Sequence, residues 1–265
     1  MAQPIIKIEG VTKAYSTRVV LHDINLDINK GEIIGLMGVN GSGKSTLLNS
    51  IIGYLDPEEG KILFCIGEEA GKPVYVNVHR RKNLVRKLFG FAAQEPSYYK
   101  KLTVSENIDY FGALYGLKRK VRQTNMKTIL ELMELQECKN KLGENLSGGM
   151  QKRLDFACSL IHEPKVLLLD EPTSELDPIL RKEIWSLIEK IKAKGTTIVI
   201  ASHYIEEIEE MCDRVVVMTN GHIEVIGTPA HVKSAYGVSN LTKVLEKIEK
   251  KSKREEGQEE EACVC

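Results

Sequence analysis

Ile33-Ile34-Gly35-Leu36-Met37-Gly38-Val39-Asn40-Gly41-Ser42-Gly43-Lys44-Ser45-Thr46 is the stretch from which the rest of the chain can be read. Its first five residues are an unbroken apolar run, the pattern of a strand buried on both faces. Glycines at 38, 41 and 43 follow, and then Leu47, Leu48, Ile51 and Ile52 recur at helical spacing up to Gly53. Strand, glycine-rich loop and helix in that order give Gly38 to Ser45 the context in which a phosphate-loop pattern has physical meaning. Glycine is needed because backbone N–H groups must approach phosphate oxygens with no Cβ between them, and the helix start adds the favourable end of its dipole. The expected nucleotide-binding set is Gly38, Val39, Asn40, Gly41, Ser42, Gly43, Lys44, Ser45 and Thr46. Lys44 is expected on the β- and γ-phosphates and Ser45 on Mg²⁺. The motif by itself leaves open which nucleotide-hydrolysing family is present.

A second apolar run, Val166 to Leu169, delivers Asp170 and Glu171 at its C-terminal edge, where open α/β sheets bind ligands. Neighbouring strand residues face opposite ways, so the two carboxylates have different tasks. Asp170 suits the Mg²⁺ shell. Glu171 suits polarising the attacking water, because phosphoryl transfer needs chiefly positioning and charge stabilisation.

Working outward, Ile5 to Glu9 and the period-two set Ile24, Leu26 and Ile28 read as strands. The segment Cys65 to Asn83, with Gly67, Gly71 and Pro73, looks longer than a connection between strands needs and reads as a surface excursion. Residues from about 95 to 165 lack a long β-branched run, and Thr103 with Glu106 forms a capping box before Ile108, Tyr110, Phe111 and Leu114. A mostly helical subdomain is expected there. Asp177 and Pro178 predict the start of a helix carrying Ile184, Leu187, Ile188 and Ile191. Strands return at Thr197 to Ala201 and Arg214 to Met218, the latter joined to His222 to Ile226 by an Asn220-Gly221 hairpin turn. The alternation predicts an α/β core with a mainly parallel sheet, preceded by an N-terminal antiparallel β portion and interrupted by the helical insertion. Residues 1–235 are expected to form this domain. Within 236–265, Leu241, Val244, Leu245 and Ile248 at helical spacing predict an amphipathic helix able to dock on a partner, followed by a charged, disordered end whose Cys263 and Cys265 have a lipid anchor or a metal or redox pair as alternative readings.

With 265 residues, 42% of them hydrophobic, the chain can bury one good-sized core. Lys plus Arg equals Asp plus Glu at 37 each, so no global field draws it to nucleic acid or acidic lipid. The longest apolar runs are far too short to span a bilayer, and no basic stretch followed by an apolar one opens the chain. A cytosolic protein is expected, with Cys65, Cys138, Cys158 and Cys212 as reduced, buried thiols.

Between the phosphate loop and the acidic strand lies Leu146-Ser147-Gly148-Gly149-Met150-Gln151, which resembles the signature motif of ATP-binding-cassette (ABC) ATPases. The resemblance covers residues 1 to about 235 and implies further roles. Gln94 in Phe91-Ala92-Ala93-Gln94-Glu95 is similar to the Q-loop glutamine, which touches Mg²⁺ and water and reports to a membrane subunit. Ser174-Glu175-Leu176-Asp177 resembles the D-loop, His203 the switch histidine that contacts the γ-phosphate, and Tyr15 the aromatic that stacks on adenine. Two departures stand out. Met150 occupies the place where many members have Gln, a variant similar to that of family exporters, and Glu175 replaces a frequent Gly.

The resemblance implies that Ser147, Gly148 and Gly149 of one cassette close on the phosphate loop of another. A single cassette then works as two chains, a homodimer or a pair with a close relative. It implies ATP and Mg²⁺ as cofactors and a cytoplasmic subunit lying peripherally on the inner face of the cell membrane. Multi-span permease subunits are its implied partners, with no direct nucleic-acid partner, and its implied task is to power export of drugs, lipids, polysaccharides or sodium. The stretch His203 to Asp213 is similar to that exporter branch. The alternative is a soluble ABC ATPase acting on a ribosome or nucleic acid, a class that joins two cassettes or carries a long coiled-coil insertion, and neither feature is present here. A phosphate-loop GTPase is disfavoured because no Asn-Lys-x-Asp run occurs.

Overall fold

Residues 3–250 are described by the structure, a computed structural model. The first elements are β1 (Pro4–Tyr15), β2 (Arg18–Asn29), β3 (Ile33–Met37), α1 (Lys44–Ile51), β4 (Glu59–Glu69), β5 (Lys72–Asn77), α2 (Lys82–Val85) and β6 (Phe89–Ala92). There follow α3 (Val104–Leu114), α4 (Arg119–Leu132), α5 (Gly148–Leu160), β7 (Val166–Asp170), α6 (Pro178–Ala193) and β8 (Thr197–Ala201). The last are α7 (Ile205–Met211), β9 (Arg214–Thr219), β10 (His222–Gly227) and α8 (Pro229–Tyr236). They divide into two units, residues 3–79 with 201–250, and residues 80–200.

In the first unit β2, β1, β4 and β5 form an antiparallel sheet in that order. The Cys65 to Asn83 excursion is corrected here: up to Asn77 it belongs to the β4–β5 hairpin, with Phe64 opposite Val76 and a turn at Ala70-Gly71 where both residues have positive φ. Its glycines and proline mislead because the outer end is exposed on both faces, and Pro73 lies on the edge strand, where no ladder donor is needed. β3 pairs parallel with β9, which pairs antiparallel with β10. All five β3 residues are buried, so truncating Leu36 to Ala costs about 2–5 kcal/mol. Gly35 lets α7 pack on this strand, since a Cβ there would lie 2.7 Å from Ile208 and 2.9 Å from the Cys212 sulfur.

Residues 241–250 are helical, and Leu241, Val244, Leu245 and Ile248 are all buried. Glu209 of α7 accepts the Leu241 N–H at 2.7 Å, and Lys247 donates to the Tyr236 carbonyl at 2.7 Å. The amphipathic helix is therefore present, with its apolar residues buried rather than exposed. The pair Cys263 and Cys265 lies outside the described residues.

In the second unit β6 pairs parallel with β7, and β8 lies on the other side of β7, with the Thr197 N–H on the Lys165 carbonyl at 3.0 Å. Parallel pairs in both units match the expected α/β class. The capping box of α3 forms as read: Thr103 Oγ1 accepts the Glu106 N–H, and Glu106 Oε2 accepts the Thr103 N–H at 2.8 Å. Cys138, Cys158 and Cys212 are buried free thiols, whereas Cys65 on β4 is half-buried.

Candidate nucleotide site

Beyond β3 the chain cannot carry side chains where it turns. A Cβ on Gly38 would lie 2.2 Å from the Met218 carbonyl oxygen, and one on Gly43 would meet Leu21 at 2.8 Å and the Val20 carbonyl oxygen at 3.1 Å. Gly41 has open space around it, so its glycine serves conformation alone, with φ at 83°. The β9–β10 turn braces the loop through the Gly221 N–H, which donates to the Ser42 carbonyl at 3.2 Å. Lys44 is 7% exposed, and its ammonium donates to the carbonyls of Gly38 at 2.8 Å and Val39 at 3.1 Å. These bonds hold the cation over the loop. The α1 N-terminus has no side-chain cap and no acidic residue in its first turn, an end of the helix suited to a phosphate.

The acidic strand ends in a strained turn. β7 is buried throughout, Asp170 is 8% exposed, and Glu171 stands in left-handed backbone at φ 50°. The Ser174 N–H and hydroxyl both donate to the Glu171 carbonyl, at 3.3 and 2.9 Å. That conformation costs a non-glycine residue roughly 1–2 kcal/mol and persists where surrounding bonds impose it. Four residues on, Glu175 is also left-handed at φ 64°. Asp177 then caps α6, its Oδ1 accepting from the N–H groups of Ile179 at 2.9 Å and Leu180 at 3.1 Å, with Pro178 in the first turn.

The remaining candidates divide between the units. With the phosphate loop, the first unit holds Tyr15, which is 47% exposed with the Lys13 ammonium 5.7 Å from its ring, and the exposed His203, whose ring stands 4.1 Å from that of Tyr204. With Asp170, Glu171 and Asp177, the second unit holds the exposed Gln94 just past β6, and Ser147, the N-cap of α5, whose Oγ accepts the Met150 N–H at 3.4 Å. Nothing lies within 4 Å of a Cβ built on Gly148, whereas one on Gly149 would touch Leu180 at 2.8 Å.

A family model described as ABC transporter matches residues 21–174, and an AAA-domain model matches 143–209. The Nod factor export ATP-binding protein I of Ralstonia nicotianae is 35% identical over 226 residues, which is 85% of this chain and 68% of that protein. This chain belongs to the ABC transporter ATP-binding family. The linearmycin resistance ATP-binding protein LnrL of Bacillus subtilis is 33% identical over 237 residues, covering 88% of this chain and 72% of its own length. Among solved structures, a dimeric ATP-binding cassette in a post-hydrolysis state with ADP and Pi superposes with a TM-score of 0.71 at 27% identity, over 84% of this chain and 98% of that one. Membership makes the chain an ATPase cassette, and the two relatives carry export and resistance names.

Within this ABC cassette some residues escaped the sequence reading. Lys152, on α5, is pushed below its ordinary range by burial, while Asp155, Asp170, Glu175 and Glu171 oppose that shift. The sequence signal was weak, since a Lys two places beyond Met150 reads as part of a solvated face. Asn107 and Asp155 are each 0% exposed. For Asp155 the available clue was a lone carboxylate inside the apolar run Leu154, Phe156, Ala157 and Cys158.

Proposed function

We propose that this cassette hydrolyses ATP to drive export through separate, multi-span permease subunits. The observation that carries the reading is the phosphate cradle, two of whose glycines have no room for a Cβ and whose Lys44 is already held over the loop. In this reading the loop N–H groups from Gly41 to Thr46 and Lys44 hold the β- and γ-phosphates, His203 touches the γ-phosphate and Tyr15 stacks on adenine. Ser45, Gln94 and Asp170 offer the oxygen donors a hard cation takes, and bound Mg²⁺ would neutralise charge on the phosphate oxygens. Glu171 accepts a hydrogen bond from the attacking water and polarises it toward the γ-phosphorus. A new P–O bond forms, the bond to the β–γ bridging oxygen breaks, and ADP and inorganic phosphate are the products.

Ser147, Gly148, Gly149 and Asp177 act from a second cassette chain, a copy of this one or a close relative. The α5 N-terminus has no acidic residue in its first turn, and the open space at Gly148 leaves room for another chain. ATP between two cassettes favours the closed pair, and hydrolysis releases it. The cassette works in the cytoplasm, held peripherally at the inner face of the membrane through the permease, with no direct nucleic-acid contact. No described helix is long and apolar enough to cross a membrane, and 37 basic residues balance 37 acidic ones.

Glu171→Gln should retain ATP binding and lose turnover by about 10²-fold or more. A purified variant that keeps more than half the wild-type rate would remove Glu171 from the water-polarising role. For the two-chain site, Asn40→Cys with Gly148→Cys in the Glu171→Gln background should give ATP-dependent intermolecular cross-links. If only intramolecular links form in folded, ATP-binding protein, the shared site has to be abandoned.

A further inference from the structure

The segment that leaves Gln94 has no strand to pair with, and buried side chains of the second unit meet its peptide groups instead. Asn107 of α3 accepts the Tyr99 N–H at 2.7 Å and donates to the carbonyls of Tyr99, Leu102 and Thr103 at 3.0, 3.2 and 3.0 Å. Asp155 of α5 places a single oxygen, Oδ1, on both the N–H and the hydroxyl of Ser97, at 3.0 and 2.7 Å. Its other oxygen, Oδ2, is buried with no hydrogen-bond partner among the described residues, and so is the Tyr98 hydroxyl. Burial drives the Asp155 carboxyl above its ordinary range against the pull of the Ser97 bonds and of the Lys152 charge, and the Asp155 charge acts on Tyr98 in turn.

For packing alone this is a poor residue. An apolar side chain would fill the interior of α5 without a half-satisfied carboxylate, whose burial costs free energy. What Asp155 adds is attachment: it ties Ser97, three residues past Gln94, to the helix that Ser147 caps.

We infer that Asp155 is a positioning residue for ATP hydrolysis, its paired bonds to Ser97 clamping the Gln94 segment to α5 so that Gln94 and Ser147 ride on one rigid piece. This rests on the reading of Gln94 and Ser147 as ATP-site residues. The clamp acts through hydrogen bonds to Oδ1, so a neutral side chain of the same shape should serve. Asp155→Asn keeps the acceptor for Ser97.

The test uses the whole purified chain with Mg-ATP. Asp155→Asn should hydrolyse at the wild-type rate. Asp155→Leu keeps the volume but loses both bonds, so its kcat should fall about tenfold or more while nucleotide Kd stays within about twofold. Ser97→Ala, at an exposed position, should lower kcat less, and adding it to Asp155→Leu should cost nothing further. A wild-type kcat in Asp155→Leu, additive losses in the double variant, or equal losses in the Asn and Leu variants would each overturn the clamp. Should Asp155→Leu fail to fold, an unchanged kcat in Ser97→Ala overturns it alone. Glu171→Gln run in parallel separates the two failures: if it still turns over, the ATP-site reading is wrong, and if it is dead beside an active Asp155→Leu, only the clamp is wrong.

Discussion

The phosphate loop and the acidic turn after β7 both bend their backbones into conformations that side chains resist, and they do so with opposite residue types. The loop uses Gly38, Gly41 and Gly43, whereas the turn uses Glu171 and Glu175 at φ 50° and 64°. In the loop the reason is space, since backbone and side chains of β9 and β2 stand where a Cβ would go at Gly38 and Gly43. At Glu171 a carboxylate stands although glycine would relax the backbone, as the water-polarising role proposed for it would require. Glu175 has the same strain without an assigned task, and the frequent family Gly at that place fits the positive φ.

Three substitutions press on this contrast. Gly38→Ala should have the largest effect, because the new Cβ would sit 2.2 Å from a backbone oxygen that cannot swing aside; a loss of about 3 kcal/mol in denaturant unfolding, with ATP binding abolished, is expected. Near-normal nucleotide affinity there would show that the loop is not held as tightly against β9 as argued. Gly41→Ala meets no neighbour within 4 Å and should cost only the left-handed term, about 1 kcal/mol. A collapse as severe as that of Gly38→Ala would erase the distinction between space and conformation. Glu175→Gly should have the smallest effect, a gain of up to about 1 kcal/mol in stability as backbone strain is relieved, partly offset by the greater freedom of glycine in the unfolded chain. Clear destabilisation in the same unfolding measurement would mean that the Glu175 side chain has a role the backbone argument misses.

The legible parts of the protein are those whose cause is local. β3 with its loop and α1, the capping box at Thr103 and Glu106, the Asp177-Pro178 start of α6 and the Asn220-Gly221 turn all follow from residues a few places apart. Periodicity found the helix at 241–250, but not that Glu209 accepts its Leu241 N–H or that its apolar residues are buried. The β4–β5 hairpin was lost because exposed strands carry little hydrophobic alternation, and pairing such as Leu63 with Asn77 is what makes them strands.

By itself, then, the sequence determined the chemistry of the candidate site and the order of the core elements. Glycine spacing, apolar runs and capping residues act over a turn or two, where covalent connection brings the partners together. Only the tertiary structure decided that Gly38 and Gly43 have no room and that Asp155 holds Ser97, because each depends on contacts that chain distance conceals. Asp155 and Ser97 are 58 residues apart along the chain and 2.7 Å apart in space; no local pattern encodes that approach, which exists only once α5 has packed against the segment it holds.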